Sequence, residues 1–386
     1  VIGSWIVSGV VPAIIYYGLT ILSPKVFLLV GFIICCVVSF FVGSSYSAIA
    51  TLGVAFMGIG MGLGINPGLT AGMVVSGAIF GDKMSPFSDT TNLAPAVAGT
   101  DIFKHINSML YTTVPATVIT AIIFALQGMK ISASSMDMST INDINNTLLA
   151  NFNINPILLI VPVFTIVLAV KKVPTLVALL LSSVAATVFA FIFQHDFYSA
   201  KVILSALGNG FTITSENAAV NRLLTRGGVL GMMSASSLAL LALGLGEILQ
   251  RMGVIDVVLG KLAGIIRGKR SLVVTTLATC LITTCLTASQ YIAIILPGEV
   301  MKNAYTKFKV DKRVLSRSLE DGGTIFAFLI PWSTTGIYVT STLDIPVMEY
   351  APFTYLALLC PLIALIYALT GFAIFPDKSA ESEKAE

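Results

Sequence analysis

Between Val26 and Gly81 this chain contains no Asp, Glu, Lys or Arg. A soluble fold cannot hydrate its surface through such a stretch. As continuous helix it would run ~84 Å, nearly three crossings of a ~30 Å hydrocarbon core. Further charge-free windows cover residues 1–24, 106–129, 173–194, 227–246, 271–298, 322–343 and 350–376, with a short apolar segment at 154–170. Only 11% of the 386 residues are charged, against roughly 25% in a soluble domain. The chain therefore reads as an all-α polytopic membrane protein. Disorder, a secreted disulfide scaffold and an ordinary soluble enzyme are excluded.

The 22 basic and 19 acidic side chains are too evenly balanced for a nucleic-acid binder. Cys35, Cys36, Cys280, Cys285 and Cys360 lie in apolar stretches with no metal-ligand spacing, and read as packing thiols. There are two histidines, His105 and His195, and no HExxH, Walker A or GxSxG signature. No enzymatic constellation and no cofactor is expected. Val1–Leu22 is apolar without a basic leader, so it is no signal peptide. The expectation is a fragment that lacks its natural N-terminus.

Hydrophilic pieces are few. Ser132–Asn155, rich in Ser, Thr and Asn and carrying Asp137 and Asp143, reads as an external loop joining two halves. Lys171-Lys172 is expected on the cytoplasmic side. His195–Asn221 is a polar return, and the tail from Asp377 is charged and expected to be disordered.

The halves repeat each other. Phe87-Ser88-Asp89-Thr90-Thr91-Asn92 precedes Thr100-Asp101-Ile102, and Pro331-Trp332-Ser333-Thr334-Thr335-Gly336 precedes Leu343-Asp344-Ile345. Thr90 and Thr334 are 244 positions apart, and Asp101 and Asp344 are 243 apart, as are Gly128 and Gly371. Gly43-Ser44-Ser45-Tyr46-Ser47 falls near Thr287-Ala288-Ser289-Gln290-Tyr291 at almost the same offset. This divides the chain into a first repeat (1–128, truncated), a loop with linking helices (129–211), a second repeat (212–376) and a tail (377–386). Window 271–298 is basic on both flanks, with Arg267, Lys269 and Arg270 before it and Lys302, Lys307, Lys309, Lys312 and Arg313 after. Both ends then lie in the cytoplasm, and Thr287–Gln290 becomes the polar tip of a re-entrant hairpin. The first copy's equivalent has only Lys25 and Asn66-Pro67-Gly68 at its flanks. Opposite charge surroundings predict inverted repeats.

Four polar breaks carry the candidate chemistry. Two are the hairpin tips, Gly43–Ser47 and Thr287–Gln290. Two are unwound segments, Gly81–Asn92 and Pro331–Gly336, where Pro86 and Pro331 each remove a backbone donor. Oxygens freed at membrane depth suit a hard cation such as Na⁺. Asp82 and Asp89 are the sharpest feature, since a carboxylate in an apolar stretch costs roughly 2.5–3.5 kcal/mol. A desolvated carboxylate holds a proton or a cation, not both, and that competition is the simplest form of exchange. Asp82 and Asp89 are thus the candidate coupling groups and Na⁺ ligands. Thr90, Thr91, Asn92, Ser44, Ser45, Ser289, Ser333, Thr334 and Thr335 are candidate oxygen ligands. The plainer alternatives are that Asp82 forms an ion pair with Lys83 or a distant arginine, or that the segment is a surface loop. Glu320 and Asp321 stand near Arg313 and Arg317, and read either as a salt bridge or as functional groups. Glu216 and Asn217, near Arg222 and Arg226, read as part of a surface helix. Glu247 and Arg251 read as a helical pair, and His105 as solvated. The glycines of Gly58–Gly64 read as close helix packing.

The run Gly81-Asp82-Lys83-Met84-Ser85-Pro86-Phe87-Ser88-Asp89-Thr90-Thr91-Asn92-Leu93-Ala94-Pro95-Ala96 resembles the NhaC family of sodium–proton antiporters. Trp5 with Ser8-Gly9, Leu224-Thr225-Arg226-Gly227-Gly228, Leu319-Glu320-Asp321 and Leu329-Ile330-Pro331-Trp332 extend the resemblance over nearly the whole chain. It implies paired hairpins and broken helices around a midplane site. It implies a multi-pass exchanger of Na⁺ and H⁺ in the bacterial inner membrane, working by alternating access. A homodimer is common for this architecture among the family's relatives. One branch of the family exchanges malate and lactate with Na⁺ and H⁺, so small organic acids stay open as partners. Such an anion needs a counter-charge, and Lys83 is the only lysine in the break segments.

Overall fold

The computed structural model describes residues 1–131, 138–171 and 173–377. Asp137, Lys172 and nearly all of the charged tail therefore lie outside the described residues. Helix dominates, with no strand among the described residues and only two isolated β-bridges. Six helices are long and apolar enough to span a membrane, or up to eight spans if each of two bent pairs counts as one. This is the polytopic helical architecture that the charge-free windows require.

The chain divides into two compact units. One comprises Val1–Gly81, Ala121–Ser236 and Val339–Thr354; the other comprises Asp82–Thr120, Ser237–Tyr338 and the chain from Tyr355. Each unit thus takes most of one expected copy and a smaller piece of the other.

The first unit holds the first hairpin. Pro24–Val42 ends at Gly43, whose φ of 69° is left-handed and admits glycine without a Cβ clash. Ser44 is extended, and its Oγ accepts the backbone N–H of Ser47 to cap the next helix. The chain returns through Ser45–Ala48, a π-helical turn at Ile49–Gly53, and Val54–Gly62. Phe27 and Phe56, on opposite limbs, meet edge to face at 6.0 Å. The glycines of the return limb admit Ile15, Thr70 and Leu19 against Gly58, Gly60 and Gly62. Close packing is therefore their role, as the sequence predicts.

Met138–Asn151 is helical where irregular chain is expected, and a 93° bend separates its end from the helix that follows. The reason is amphipathicity. Ile141, Ile144 and Leu148 lie on one buried face, and the many Asn and Thr residues between them mask that face in a reading by composition.

The second unit holds the second hairpin, Lys269–Thr287 and Gln290–Lys307. Its tip repeats the first tip: Ala288 is left-handed (φ 57°), Ser289 is extended, and Ser289 Oγ accepts the N–H of Ile292. Gly43 and Ala288 are 245 positions apart. Helix starts at Pro24 and Lys269, and at Asp89 and Thr334, share that spacing. Thr276 Oγ1 and Tyr305 Oη lie 3.3 Å apart across the limbs.

Both helix breaks exist, but they are narrower than or shifted from the sequence expectation. Pro67–Met84 stops and Asp89–Ala98 starts, so only Ser85–Ser88 is unwound. Pro86 disfavours helix at Ser85, and Asp89 suits a helix N-terminus, where the positive end of the macrodipole favours an acid. The second break covers 328–333, with Thr334–Leu343 helical. Before it, Lys312–Leu319 leads into a π-helical turn at Glu320–Thr324.

Candidate functional site

The second unit gathers the first break and the π-helical turn into one buried polar cluster. Gly322 and Gly323 let the turn sit against the hairpin: a Cβ on Gly322 would stand 3.0 Å from Cβ of Cys280, and one on Gly323 would stand 3.1 Å from the carbonyl of Ala293. Thr284 of the incoming limb reaches the Gly323 carbonyl at 3.3 Å. This seating brings Glu320 and Asp321, both 0% exposed, beside the end of Pro67–Met84.

Lys83, 2% exposed, forms an ion pair with Asp321. Thr112 Oγ1 donates to the same Asp321 Oδ1 at 3.2 Å, and Arg317 Nε stands 4.0 Å from Oδ2. Asp82 faces another way. Its Oδ1 accepts the Ser88 hydroxyl at 2.6 Å. Ser88 is the N-cap residue of Asp89–Ala98, yet its side chain makes no cap hydrogen bond. The hydroxyl is turned to Asp82 instead and lies 3.1 Å from Thr90 Oγ1. Thr91 Oγ1 donates to the carbonyls of Asp82 and Lys83 at 2.8 and 3.1 Å, which ties the two sides of the break together. Glu320 accepts from Thr324 at Oε2 (2.6 Å), while Oε1, buried, has no hydrogen-bond partner among the described residues.

A model of the Na⁺/H⁺ antiporter family matches residues 18–91 and 77–372. The chain belongs to that family. It is 38% identical over its whole length to the Na⁺/H⁺ antiporter NhaC of Alkalihalophilus pseudofirmus, and covers 82% of that protein. It is 36% identical to the malate-2H⁺/Na⁺-lactate antiporter of Bacillus subtilis, over 100% of this chain and 82% of that one. The Na⁺/H⁺ antiporter NhaC of the same organism is 35% identical, over 95% of this chain and 80% of the relative. With its apolar spans, this member of the family is an integral membrane protein. The relatives are transporters, not enzymes.

The structure distributes the candidate ligands unevenly. Asp82 is half-buried and Thr90 and Thr91 are buried around it. Asp89 is exposed at the first helical position after the break. Asn92 is also exposed, its Nδ2 donating to the carbonyls of Pro86 and Ser88 at 2.9 and 2.7 Å. Ser289, Thr334 and Thr335 belong to the same unit, and Thr334 N–H and Oγ1 reach the Ala288 carbonyl at 2.9 and 3.3 Å. Ser333 is engaged structurally: Oγ donates to the carbonyls of Ala327 and Ile330 and accepts the N–H of Gly336. Ser44 and Ser45 lie in the other unit.

Several side chains differ from their expected settings. Lys83 pairs with Asp321 rather than Asp82. Arg313 binds Asp311 at 3.2 Å and stacks on Phe375, leaving Arg317 as the arginine beside Asp321. His105 is 0% exposed rather than solvated, with Nδ1 2.6 Å from Ser316 Oγ. Glu247 and Arg251 form the expected i,i+4 pair at 2.7 Å. The cysteines are free, four of them buried and Cys285 half-buried.

Proposed function

We propose that the protein exchanges Na⁺ for H⁺ across the membrane by alternating access, with Asp82 as a coupling carboxylate shared by the two ions. One observation carries this reading: an acid at a helix break, inside an apolar chain, held by a serine that gives up its own capping bond to reach it. Such an acid can be satisfied by a proton or by a sodium ion, and the break provides hydroxyls and carbonyls to complete a hard-cation shell. Asp89, at the exposed mouth of the same break, is the second candidate carboxylate. Inverted repeats would supply the two access states by rocking one bundle against another.

The organic-anion reading needs a cation to receive a carboxylate. Lys83, the lysine that would serve, is committed to Asp321. This favours the inorganic exchange. Proteoliposomes holding the protein, with an internal pH dye and an imposed Na⁺ gradient, test it. Na⁺-driven proton movement without malate or lactate, lost in Asp82→Asn, is the expected result. Flux that requires malate or lactate would replace the reading with the organic-anion exchange. Full activity in both Asp82→Asn and Asp89→Asn would remove the site.

A further inference from the structure

We propose that the transported sodium ion is bound by Asp82, Ser88, Thr90 and Glu320 together, so that Glu320, from the π-helical turn, is a ligand on a par with the acid of the break. This rests on the exchange reading above and assigns its cation site.

The oxygens form a connected series. Asp82 Oδ1 accepts Ser88 Oγ at 2.6 Å, and Ser88 Oγ lies 3.1 Å from Thr90 Oγ1. Thr90 stands on the helix Asp89–Ala98, which packs against the π-helical turn that carries Glu320. Glu320 closes the series with an oxygen, Oε1, that is buried and has no hydrogen-bond partner among the described residues. An unsatisfied carboxylate oxygen at zero exposure is costly unless something else satisfies it. Lys83 does not, because its ammonium is bound to Asp321. Two carboxylates and two hydroxyls are the all-oxygen set that a hard monovalent cation takes. The π-helical turn fits the same role: such turns loosen the helical ladder and recur at functional sites.

Binding of ²²Na⁺ to purified full-length protein in detergent, measured by scintillation proximity, tests the assignment. Glu320→Gln keeps the shape and removes the charge; its Na⁺ dissociation constant should rise at least tenfold. Thr90→Val and Ser88→Ala should each raise it several-fold, with Thr90→Ser restoring it. Glu299→Gln, an exposed acid on the same unit, should bind as wild type. A monodisperse Glu320→Gln protein with wild-type Na⁺ affinity would overturn this assignment and leave the exchange reading standing. Should Glu320→Gln fail to fold, unchanged affinity in both Thr90→Val and Ser88→Ala would overturn it equally. Wild-type protein that binds no Na⁺ would overturn the exchange reading and the assignment with it.

Discussion

Removing either end of the Lys83–Asp321 pair should destabilise the protein, and the two ends should not cost the same. Both side chains are at most 2% exposed, so neither can turn to water when its partner goes. Breaking a buried pair by deleting one partner typically costs about 3–5 kcal/mol. After Lys83→Met, Asp321 still has Arg317 at 4.0 Å and the Thr112 hydroxyl at 3.2 Å. Two unit charges 4 Å apart interact by about 4 kcal/mol at an effective dielectric of 20, so Arg317 offsets much of the loss. Lys83→Met belongs at the lower end, about 3 kcal/mol. Asp321→Asn leaves two buried cations facing a neutral amide and belongs at the upper end, about 5 kcal/mol. Because the residues touch, the double variant should cost less than the two singles added, with a coupling energy of about 2–3 kcal/mol. Unfolding in mixed micelles, followed by circular dichroism across the four proteins, measures all three quantities. Lys83→Met costing more than Asp321→Asn, or costs additive within about 0.5 kcal/mol, would refute the argument.

Gly81 packs against the backbone of Ser39 and Phe40, so Gly81→Ala should cost at least about 1–3 kcal/mol through overpacking, read as a lower unfolding midpoint. Ala288 holds a left-handed conformation that Gly43 occupies at the other tip. Ala288→Gly should therefore stabilise by about 1 kcal/mol, and Gly43→Ala should destabilise by a similar amount. If one carboxylate is shared, protons compete with sodium. Lowering the pH by one unit in the competitive range should then raise the apparent Michaelis constant for Na⁺ towards tenfold with an unchanged maximal rate, as read by initial rates in proteoliposomes. A maximal rate that falls at constant Michaelis constant would argue against a shared site.

The charge-free windows and the polar interruptions made the helical membrane fold and both hairpin tips readable in advance. A tip needs a left-handed residue and a capping serine, and Gly43-Ser44 shows both in its residue types. Ala288-Ser289 shows only the second, and the left-handed backbone of Ala288 has no signal in its residue type. The helix boundaries around Asp89 were less legible. The polar run from Gly81 to Asn92 looks uniformly broken, whereas Pro86 interrupts only four residues and helix resumes at once. His105 misleads because its neighbours Asp101 and Lys104 are exposed; nothing in the local string reveals Ser316, 211 residues away. The π-helical turn has no periodic signature, so the sequence leaves Glu320 and Asp321 open between a salt bridge and a functional role.

The acid positions of the two copies explain why the cluster itself stayed hidden. At the 245-residue spacing, Asp82 and Lys83 correspond to Ala327 and Phe328, while Glu320 and Asp321 correspond to Val75 and Ser76. Each copy carries charge where the other carries apolar or small residues. Read copy by copy, Asp82-Lys83 and Glu320-Asp321 are separate expensive features, each in search of a partner. The second unit draws residues 82–120 from the first copy and 237–338 from the second, and the ion pair joins them across 238 positions of sequence. Residues from both expected copies thus meet in one cluster. An ion bound as proposed would engage side chains from both expected copies at once. Coupling would thus be lost by neutralising Glu320 in the second repeat as readily as by neutralising Asp82 in the first.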